Sequence, residues 1–295
     1  MSRPSAFRSA HPLVNFISFG LILTLSVCIA HPVCRTLSAV CGAAYYFFLS
    51  KKALRYTLRV VLPLSVLTAV LNPMFNHRGA TILAYFPSGN PLTAESLIYG
   101  AFAGVLLAAS LFWFASLTEI MTTDKFVYLF GRVLPSLGLL LSMALRFVPL
   151  FHRKFRDAMD VQRASGGGSE KTAARVRRAA SAFSMVVTWA LENAAQTADS
   201  MKGRGYGMRG RTSFSIYRFT PTDAALLCAS VLPGAAALLG AVFGQLDFNY
   251  YPRFAPAAAP LSSGLFCAAF FVLCLIPLLF DLTEVLLWKR SERRI

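Results

Sequence analysis

The stretch LRFVPLFHRKFRDAMDVQRASGGG, from Leu145 to Gly168, decides the fold of this chain because it places an amphipathic helix inside a largely apolar sequence. Its large apolar residues recur every four positions, which is the spacing of one face of a helix. They are Phe147, Phe151, Phe155 and Met159, and the charged side chains fall outside this stripe. The glycines from Gly166 to Gly168 end the predicted helix, because glycine readily adopts the left-handed conformation of helix C-termini.

A second predicted helix follows the same plan. Ser169, Glu170 and Lys171 open it, and the sequence GRGYG from Gly203 to Gly207 ends it. One side of this helix carries small and apolar residues, namely Val176, Ala180, Phe183, Val187, Ala194, Ala198 and Met201. At about 1.5 Å per residue, a helix from Ser169 to Met201 would be roughly 50 Å long. We therefore expect two long helices, each ending at a glycine-containing motif.

The composition of the whole chain predicts an integral membrane protein. Of its 295 residues 56% are hydrophobic and 14% are charged, which is more apolar material than one soluble core uses. The net charge of +16 is then explained by Lys and Arg held on the cytoplasmic side of a membrane. Nucleic-acid binding is not expected, since aromatic residues that could stack on bases do not alternate with the basic ones.

The apolar runs predict an all-α polytopic fold with about six transmembrane helices. The runs cover about residues 13–30, 36–49, 60–71, 97–117, 224–243 and 265–287. The piece from Asn76 to Pro91 mixes β-like and turn residues, so we expect a loop or hairpin there. The run Val133–Leu145 has only thirteen residues. A span needs about twenty, so this run is predicted to be an interfacial or bundle-packed helix.

This count of spans divides the chain into three parts. Residues 1–117 would form N-terminal transmembrane helices, residues 118–220 a cytoplasmic helical domain, and residues 221–295 C-terminal transmembrane helices. Both termini and the basic block from Arg146 to Arg218 are then cytoplasmic, as the distribution of positive charge favours.

The cysteines and histidines point to neither a disulfide framework nor a metal site. None of the cysteines forms a Cys-x-x-Cys pair, and all lie in or beside apolar runs. They are Cys28, Cys34, Cys41, Cys228, Cys267 and Cys274. His11 and His31 each precede a proline at the edge of an apolar run, and we expect them to be polar rings at the membrane interface.

The chain has no visible energy source of its own. Ion-coupled carriers need ionisable residues buried in the membrane, whereas Glu119, Asp281 and Glu284 lie near span ends and are expected to face headgroups or a neighbouring helix. The sequence GGGSEKT is not a phosphate-binding loop, because Glu170 stands where that loop needs glycine. We therefore expect a non-catalytic subunit without a bound cofactor. A self-sufficient secondary transporter or channel, and a membrane-anchored binding or signalling protein, remain alternatives.

Four segments carry a resemblance to a known family. They are HPLVNF from His11, SLTEIMTTDKFVYLFGRVLPSLG from Ser116, LRFVPLFHRKFRDAMDVQRASG from Leu145 and SMKGRGYG from Ser200. The chain resembles the transmembrane T component of energy-coupling factor transporters, a cobalt-permease-like family of ATP-binding cassette transporters. The resemblance implies a helical scaffold whose two cytoplasmic coupling helices end in small-Arg-small motifs. These ends would dock on two ATPase subunits, which hold ATP and Mg²⁺, while the rest of the domain holds a substrate-binding S component.

The resemblance also assigns residues. The second motif falls on Gly203, Arg204 and Gly205, and the first on Ala164, Ser165 and Gly166, where serine replaces the expected arginine. Supporting roles fall on Arg146, Pro149 and Arg163. The large apolar residues Phe147, Phe151, Phe155 and Met159 are expected to contact the S component, or alternatively to pack against Phe183 and Val187 of the second helix. Arg163 precedes the expected position by one residue, which is about 100° around a helix. Alternatively, Arg204 complements the carbonyls at its own helix end or touches lipid phosphate.

As a whole, the resemblance implies the energy-coupling subunit of an ATP-driven uptake system for vitamins or transition-metal ions. Its place would be the plasma membrane of a bacterium or archaeon.

Overall fold

The computed structural model describes residues 6–76, 79–85, 91–133, 135–165, 172–206, 208, 217–251, 255–256 and 260–292. Its helices are α1 Ala6–Ser9, α2 Pro12–Cys28, α3 Pro32–Leu49, α4 Ala53–Tyr56, α5 Leu62–Phe75, α6 Ala94–Ile120, α7 Thr123–Val133, α8 Pro135–Ser165, α9 Thr172–Gly203, α10 Pro221–Val242 and α11 Pro260–Glu292. A π-helical turn, Thr57–Val61, joins α4 to α5. Two antiparallel pairs complete the fold, β1 Ile82–Tyr85 with β2 Pro91–Thr93 and β3 Phe248–Asn249 with β4 Ala255–Pro256.

The predicted all-α polytopic architecture is confirmed. Among the described residues, four helices are long and apolar enough to cross a membrane: Ala53–Phe75, Ala94–Ile120, Pro221–Val242 and Leu261–Leu287. The other two predicted spans form α2, an apolar helix of 17 residues, and α3, which has 18. The segment predicted to be a loop or hairpin contains β1, which pairs with β2.

The chain divides into two compact units. The first consists of Met1–Lys125 and Tyr217–Ile295, and the second of Phe126–Ile216. The first unit therefore contains all four candidate spans together with α2 and α3, although its two parts are far apart in the sequence.

Aromatic rings form the centre of the first unit. Phe19 lies 6.1 Å from Trp113 and 6.4 Å from Tyr45, measured between ring centroids, and all three side chains are fully buried. Helices α5 and α6 approach closely beside this centre. A Cβ atom at Gly100 or Gly104 would lie 2.6 Å from a backbone oxygen of α5, that of Ala69 or Ser65. Glycine at these two positions therefore allows the helices to pack in contact, as small residues do between membrane helices.

Several buried polar side chains of the first unit form hydrogen bonds between helices. Ser18 of α2 donates to Ser230 of α10 at 2.9 Å. Trp113 of α6 donates through Nε1 to the hydroxyl of Ser38, which also lies 2.8 Å from the hydroxyl of Ser26. Such pairing is needed because a buried polar group without a partner costs free energy.

Three buried charged side chains hold the N-terminal segment. Asp281 of α11 accepts a hydrogen bond from the amide of Phe7, and Asp223 of α10 accepts one from the amide of His11. Lys125 of α7 donates to the carbonyls of Arg8 and Ala10. The expectation that Asp281 contacts a neighbouring helix is thereby confirmed, since it also accepts from the hydroxyl of Tyr45 in α3.

The cysteines require a correction. Cys34 of α3 and Cys267 of α11 form a disulfide with their Cα atoms 5.9 Å apart, although no pairing was expected from the sequence. The two residues are 233 positions apart, so no local spacing motif could indicate their contact.

The second unit is built on a hairpin of α8 and α9. The pairs Phe151 with Trp189 and Gln162 with Ser181 make contact, so the two helices run antiparallel. From Pro135 onward, the run predicted to be an interfacial or bundle-packed helix forms the first part of α8, which is continuous from Pro135 to Ser165. The apolar first part of α8 and its charged second part form one helix. Pro149 lies inside this helix and does not end it.

Candidate functional site

The end of α9 has the hydrogen bonds of a Schellman motif. The amide of Tyr206 donates to the carbonyl of Met201, and the amide of Gly205 donates to that of Lys202. Gly205 has φ +75°, the left-handed conformation that this motif needs. Arg204 is thus the C-cap residue of a helix end whose backbone geometry is fixed locally. We call Gly203, Arg204 and Gly205 the α9 end motif.

The fold of this chain requires glycine at one position of the α9 end motif, Gly205, but not at the other, Gly203. At Gly205 the positive φ accounts for glycine, and an added Cβ atom would lie 3.1 Å from the sulfur of Met208. At Gly203 no atom of the described residues outside the neighbouring backbone comes within 4 Å of the Cβ position. Both Gly203 and Arg204 are exposed. The contacts within this chain therefore explain Gly205 and leave Gly203 unexplained.

An apolar groove lies beside the α9 end motif, between the first turns of α8 and the last turns of α9. Its volume is about 600 Å³, and its lining consists of Leu139, Leu140, Met143, Ala144, Phe147, Ala198, Met201, Lys202 and Tyr206. We call it the hairpin groove. It brings together one predicted contact residue, Phe147, and the last two turns before Arg204.

The first predicted motif is described only in part. Helix α8 ends at Ser165, and Ala164 is exposed, whereas the side chain of Ser165 and all of Gly166 lie outside the described residues. Arg163 forms an ion pair of 3.3 Å with Asp160, one turn earlier. Both side chains are more than 60% exposed, so the pair contributes little to stability.

The predicted aromatic stripe of α8 is half-buried throughout, at Phe147, Phe151, Phe155 and Met159. Phe147 stacks on Phe151 with 5.6 Å between centroids, and Phe151 meets the ring of Trp189 edge-on at 6.1 Å. Lys154 places its ammonium group 5.4 Å from the centroid of the same indole ring. Trp189 is therefore the α9 residue that packs against this part of α8, a contact that the apolar pattern of α9 did not predict. The supporting residues Arg146 and Pro149 are both exposed.

Few residues of α9 are buried against α8. Ala182 and Val186 are buried, and Trp189 follows them at helical spacing. Only part of the stripe predicted from the sequence is turned away from α8, since Val176 and Phe183 are 64% and 63% exposed, whereas Ala198 and Met201 line the hairpin groove. Met185, Val187 and Leu191 are exposed as well. We call Val176, Phe183, Val187 and Leu191 the outer face of α9, and it is apolar enough to suit contact with a protein or lipid.

Apolar spans, a buried core between them and a hairpin of two amphipathic helices define a polytopic α-helical integral membrane protein. A family model described as cobalt transport protein, CbiQ, matches residues 5–214, which is well over half of the chain. The chain belongs to this family, and it is a component of a membrane transport system. The resemblance drawn from the sequence motifs is thereby confirmed. No curated protein matches the chain.

Proposed function

We propose that this chain is the energy-coupling T component of an ATP-driven uptake transporter. In this proposal two ATPase subunits bind the ends of α8 and α9, and a separate S component binds the substrate. The substrate class is a transition-metal ion or a vitamin, and the family description, which names cobalt, favours the metal ion. The chain itself would bind no ATP.

The observation that carries the proposal is the α9 end motif. Glycine within a helix costs about 1 kcal/mol relative to alanine. No contact within the described part of the chain offsets that cost at Gly203. A small residue at an exposed helix end is explained if a partner's backbone comes close to it. The fixed backbone of the Schellman motif would present Arg204 to that partner in one orientation.

The chemistry of Arg204 suits a carboxylate in the partner. A guanidinium group offers a planar fork of donors and stays charged at every physiological pH. Losing one partner of a charge pair that is desolvated in a cleft costs about 2 to 5 kcal/mol. The hairpin groove beside Arg204 offers apolar surface to the same partner, so that charge and apolar contact would act together.

The S component would bind the apolar surface that the hairpin leaves uncovered. The outer face of α9 supplies exposed apolar residues, and Phe147, Phe151 and Phe155 of α8 supply half-buried aromatic rings. An S component seated on both would move with the hairpin when the ATPases change their separation. This is the means by which ATP hydrolysis in one subunit would reach the substrate site in another.

Co-purification with the ATPase subunits tests the proposal. The tagged chain should bring down ATPase subunits in a fixed ratio, and Arg204→Glu should release at least one of them and abolish uptake. The matched control is Arg177→Glu, which makes the same charge change at an exposed position of α9. Equal losses in the two variants would mean that general charge, and not the α9 end motif, holds the ATPase.

The first helix end should contribute less. Ser165 offers one hydroxyl group where Arg204 offers a charged fork, and a neutral hydrogen bond contributes only about 1 kcal/mol. Ser165→Ala should therefore reduce ATPase retention only slightly. Ser165→Arg should be tolerated or strengthen retention if the facing groove keeps a carboxylate, and equal losses from Ser165→Ala and Arg204→Ala would contradict the asymmetry.

A further inference from the structure

Three potential metal ligands meet where the start of α3 packs against α11. One atom each of His31, Cys34 and Cys267 lies within 4.8 Å of the other two. The Nδ1 atom of His31 is 3.8 Å from the sulfur of Cys267. Cys34 is buried, and His31 and Cys267 are partly buried, so the group is not fully enclosed.

We propose that Cys34 and Cys267 in their reduced form, together with His31, bind a divalent transition-metal ion, Zn²⁺ or Co²⁺. Two thiolates and one imidazole are a ligand set that such ions take, with a fourth position left for water or another ligand. This site is distinct from the hairpin of α8 and α9 and does not depend on the function proposed for it.

The distances fit such an ion with small movements. Tetrahedral bonds of about 2.3 Å to sulfur and about 2.0 Å to nitrogen place ligand atoms roughly 3.5 to 3.8 Å apart. The nitrogen of His31 already lies at this distance from Cys267. The Cα atoms of the two cysteines, 5.9 Å apart, need not separate for their sulfurs to reach the same spacing once the disulfide is opened.

The backbone around His31 is held in place by other contacts. His31 is the N-cap residue of α3, and Pro32 fixes the first helical position, so that His31 and Cys34 occupy the cap and the third residue of one helix. The hydroxyl of Tyr250 donates to the carbonyl of Ala30 at 2.8 Å, and Arg35 donates through Nε to that of Ile29. Two of the three ligands are therefore positioned before an ion arrives.

Opening the disulfide needs a reductant, for which a dithiol is sufficient. The dithiol transfers two electrons and two protons to the bond between Cys34 and Cys267, which leaves two thiols, and is itself oxidised to a disulfide. Binding of the ion then releases the two thiol protons to solvent, since the thiolate is the ligand form. The same residues thus join α3 to α11 either through a disulfide or through a metal ion.

Optical titration of the purified full chain with Co²⁺ tests the site. After reduction and removal of the dithiol under nitrogen, one equivalent of Co²⁺ should produce the visible bands of a tetrahedral site and the ultraviolet charge-transfer bands of thiolate ligands. Zn²⁺ should abolish both, because it binds such sites more tightly. Cys34→Ser and Cys267→Ser should remove the thiolate bands, and His31→Ala should weaken binding at least about tenfold. Cys228→Ser, at an exposed cysteine, should change nothing.

A second measurement needs no variant. Zn²⁺ should protect Cys34 and Cys267 of the reduced chain from alkylation, as read by mass spectrometry, and leave Cys228 reactive. The proposal is overturned if the reduced chain yields no thiolate bands with Co²⁺, if Cys34→Ser keeps them, or if Zn²⁺ protects Cys34 no more than Cys228.

Discussion

The amide of Phe7 donates a 2.7 Å hydrogen bond to the carboxylate of Asp281, which lies 274 positions later in the sequence. The same carboxylate accepts from the hydroxyl of Tyr45 at 3.1 Å. One acidic side chain therefore ties the N-terminal segment and α3 to the last helix. All three residues are buried, so these bonds are formed away from water, where an unmade bond is costly.

Replacing Asp281 should destabilise the first unit. Asp281→Leu would leave the amide of Phe7 and the hydroxyl of Tyr45 without this acceptor, at a cost of about 2 to 4 kcal/mol. The melting temperature of the detergent-solubilised protein measures the effect. Glu284→Leu is the matched control, because it removes an exposed carboxylate one turn later on α11. Equal melting temperatures for the two variants would show that the Asp281 hydrogen bonds are not important for stability.

Lys125 should make stability depend on pH in the alkaline range. Burial, followed by the charge of Arg8, lowers the pKa of Lys125 from its ordinary 10.5 to about 8. Between these values the unfolded chain binds a proton that the folded chain lacks, so the free energy of unfolding rises with pH from about 8 to 10.5. The full rise from this group is about 3 kcal/mol.

Comparing melting curves between pH 7.5 and 10.5 isolates this contribution. Lys125→Met should flatten the pH dependence relative to the unmodified protein, whereas Lys51→Met, at an exposed lysine, should leave the slope as it was. If Lys125→Met keeps the full pH dependence of stability, titration of other groups causes that dependence.

The two glycines of the α9 end motif should respond oppositely to alanine. Gly205→Ala forces a left-handed conformation on a residue with a side chain, which costs about 1 to 2 kcal/mol and should loosen the end of α9. Gly203→Ala occupies open space in a helical position and should stabilise α9 slightly. In the proposed complex, however, Gly203→Leu should reduce ATPase co-purification without lowering the melting temperature. Full ATPase retention by Gly203→Leu would mean that no partner approaches this position closely.

The outer face of α9 should be needed for partner binding more than for folding. Phe183 is 63% exposed, so Phe183→Ser should change the free energy of unfolding by no more than about 0.5 kcal/mol, and the melting temperature should stay close to that of the original protein. The same variant should lose the S component while keeping the ATPases. Phe155→Ser affects a half-buried ring of α8 and should reduce both stability and S-component retention. Loss of both partners from Phe183→Ser would indicate a role in the fold instead.

The orientation of the protein can be tested with single cysteines in a cysteine-free background. Phe126–Ile216 contains 14 Lys and Arg residues against 5 Asp and Glu, which predicts a cytoplasmic position. Ser184→Cys on α9 should therefore react with an impermeant maleimide only after the cells are opened. Ala84→Cys on β1 should react in intact cells, and both positions are exposed in the fold. Labelling of Ser184→Cys in intact cells would show that Phe126–Ile216 lies outside the cell, opposite to the prediction.

Features that depend only on residues close together in the sequence could be predicted from it. The period of the apolar residues predicted α8 and α9, because a helix repeats every 3.6 residues whatever surrounds it. GRGYG predicted the end of α9 because the left-handed conformation at Gly205 is a property of glycine itself. The run lengths likewise predicted membrane helices, since the thickness of a bilayer sets the length of a span.

Only the tertiary structure decided which of these surfaces meet. Helix α9 carries small and apolar residues on two sides, and periodicity cannot tell that Val186 turns inward while Phe183 stays exposed. The contact between Cys34 and Cys267 likewise depends on how α3 packs against α11, across 233 positions of sequence. The pattern of residues along a helix identifies those that share a face. The partner of that face is chosen by the packing of the whole chain, in which close van der Waals contact between helices and the pairing of buried polar groups decide together.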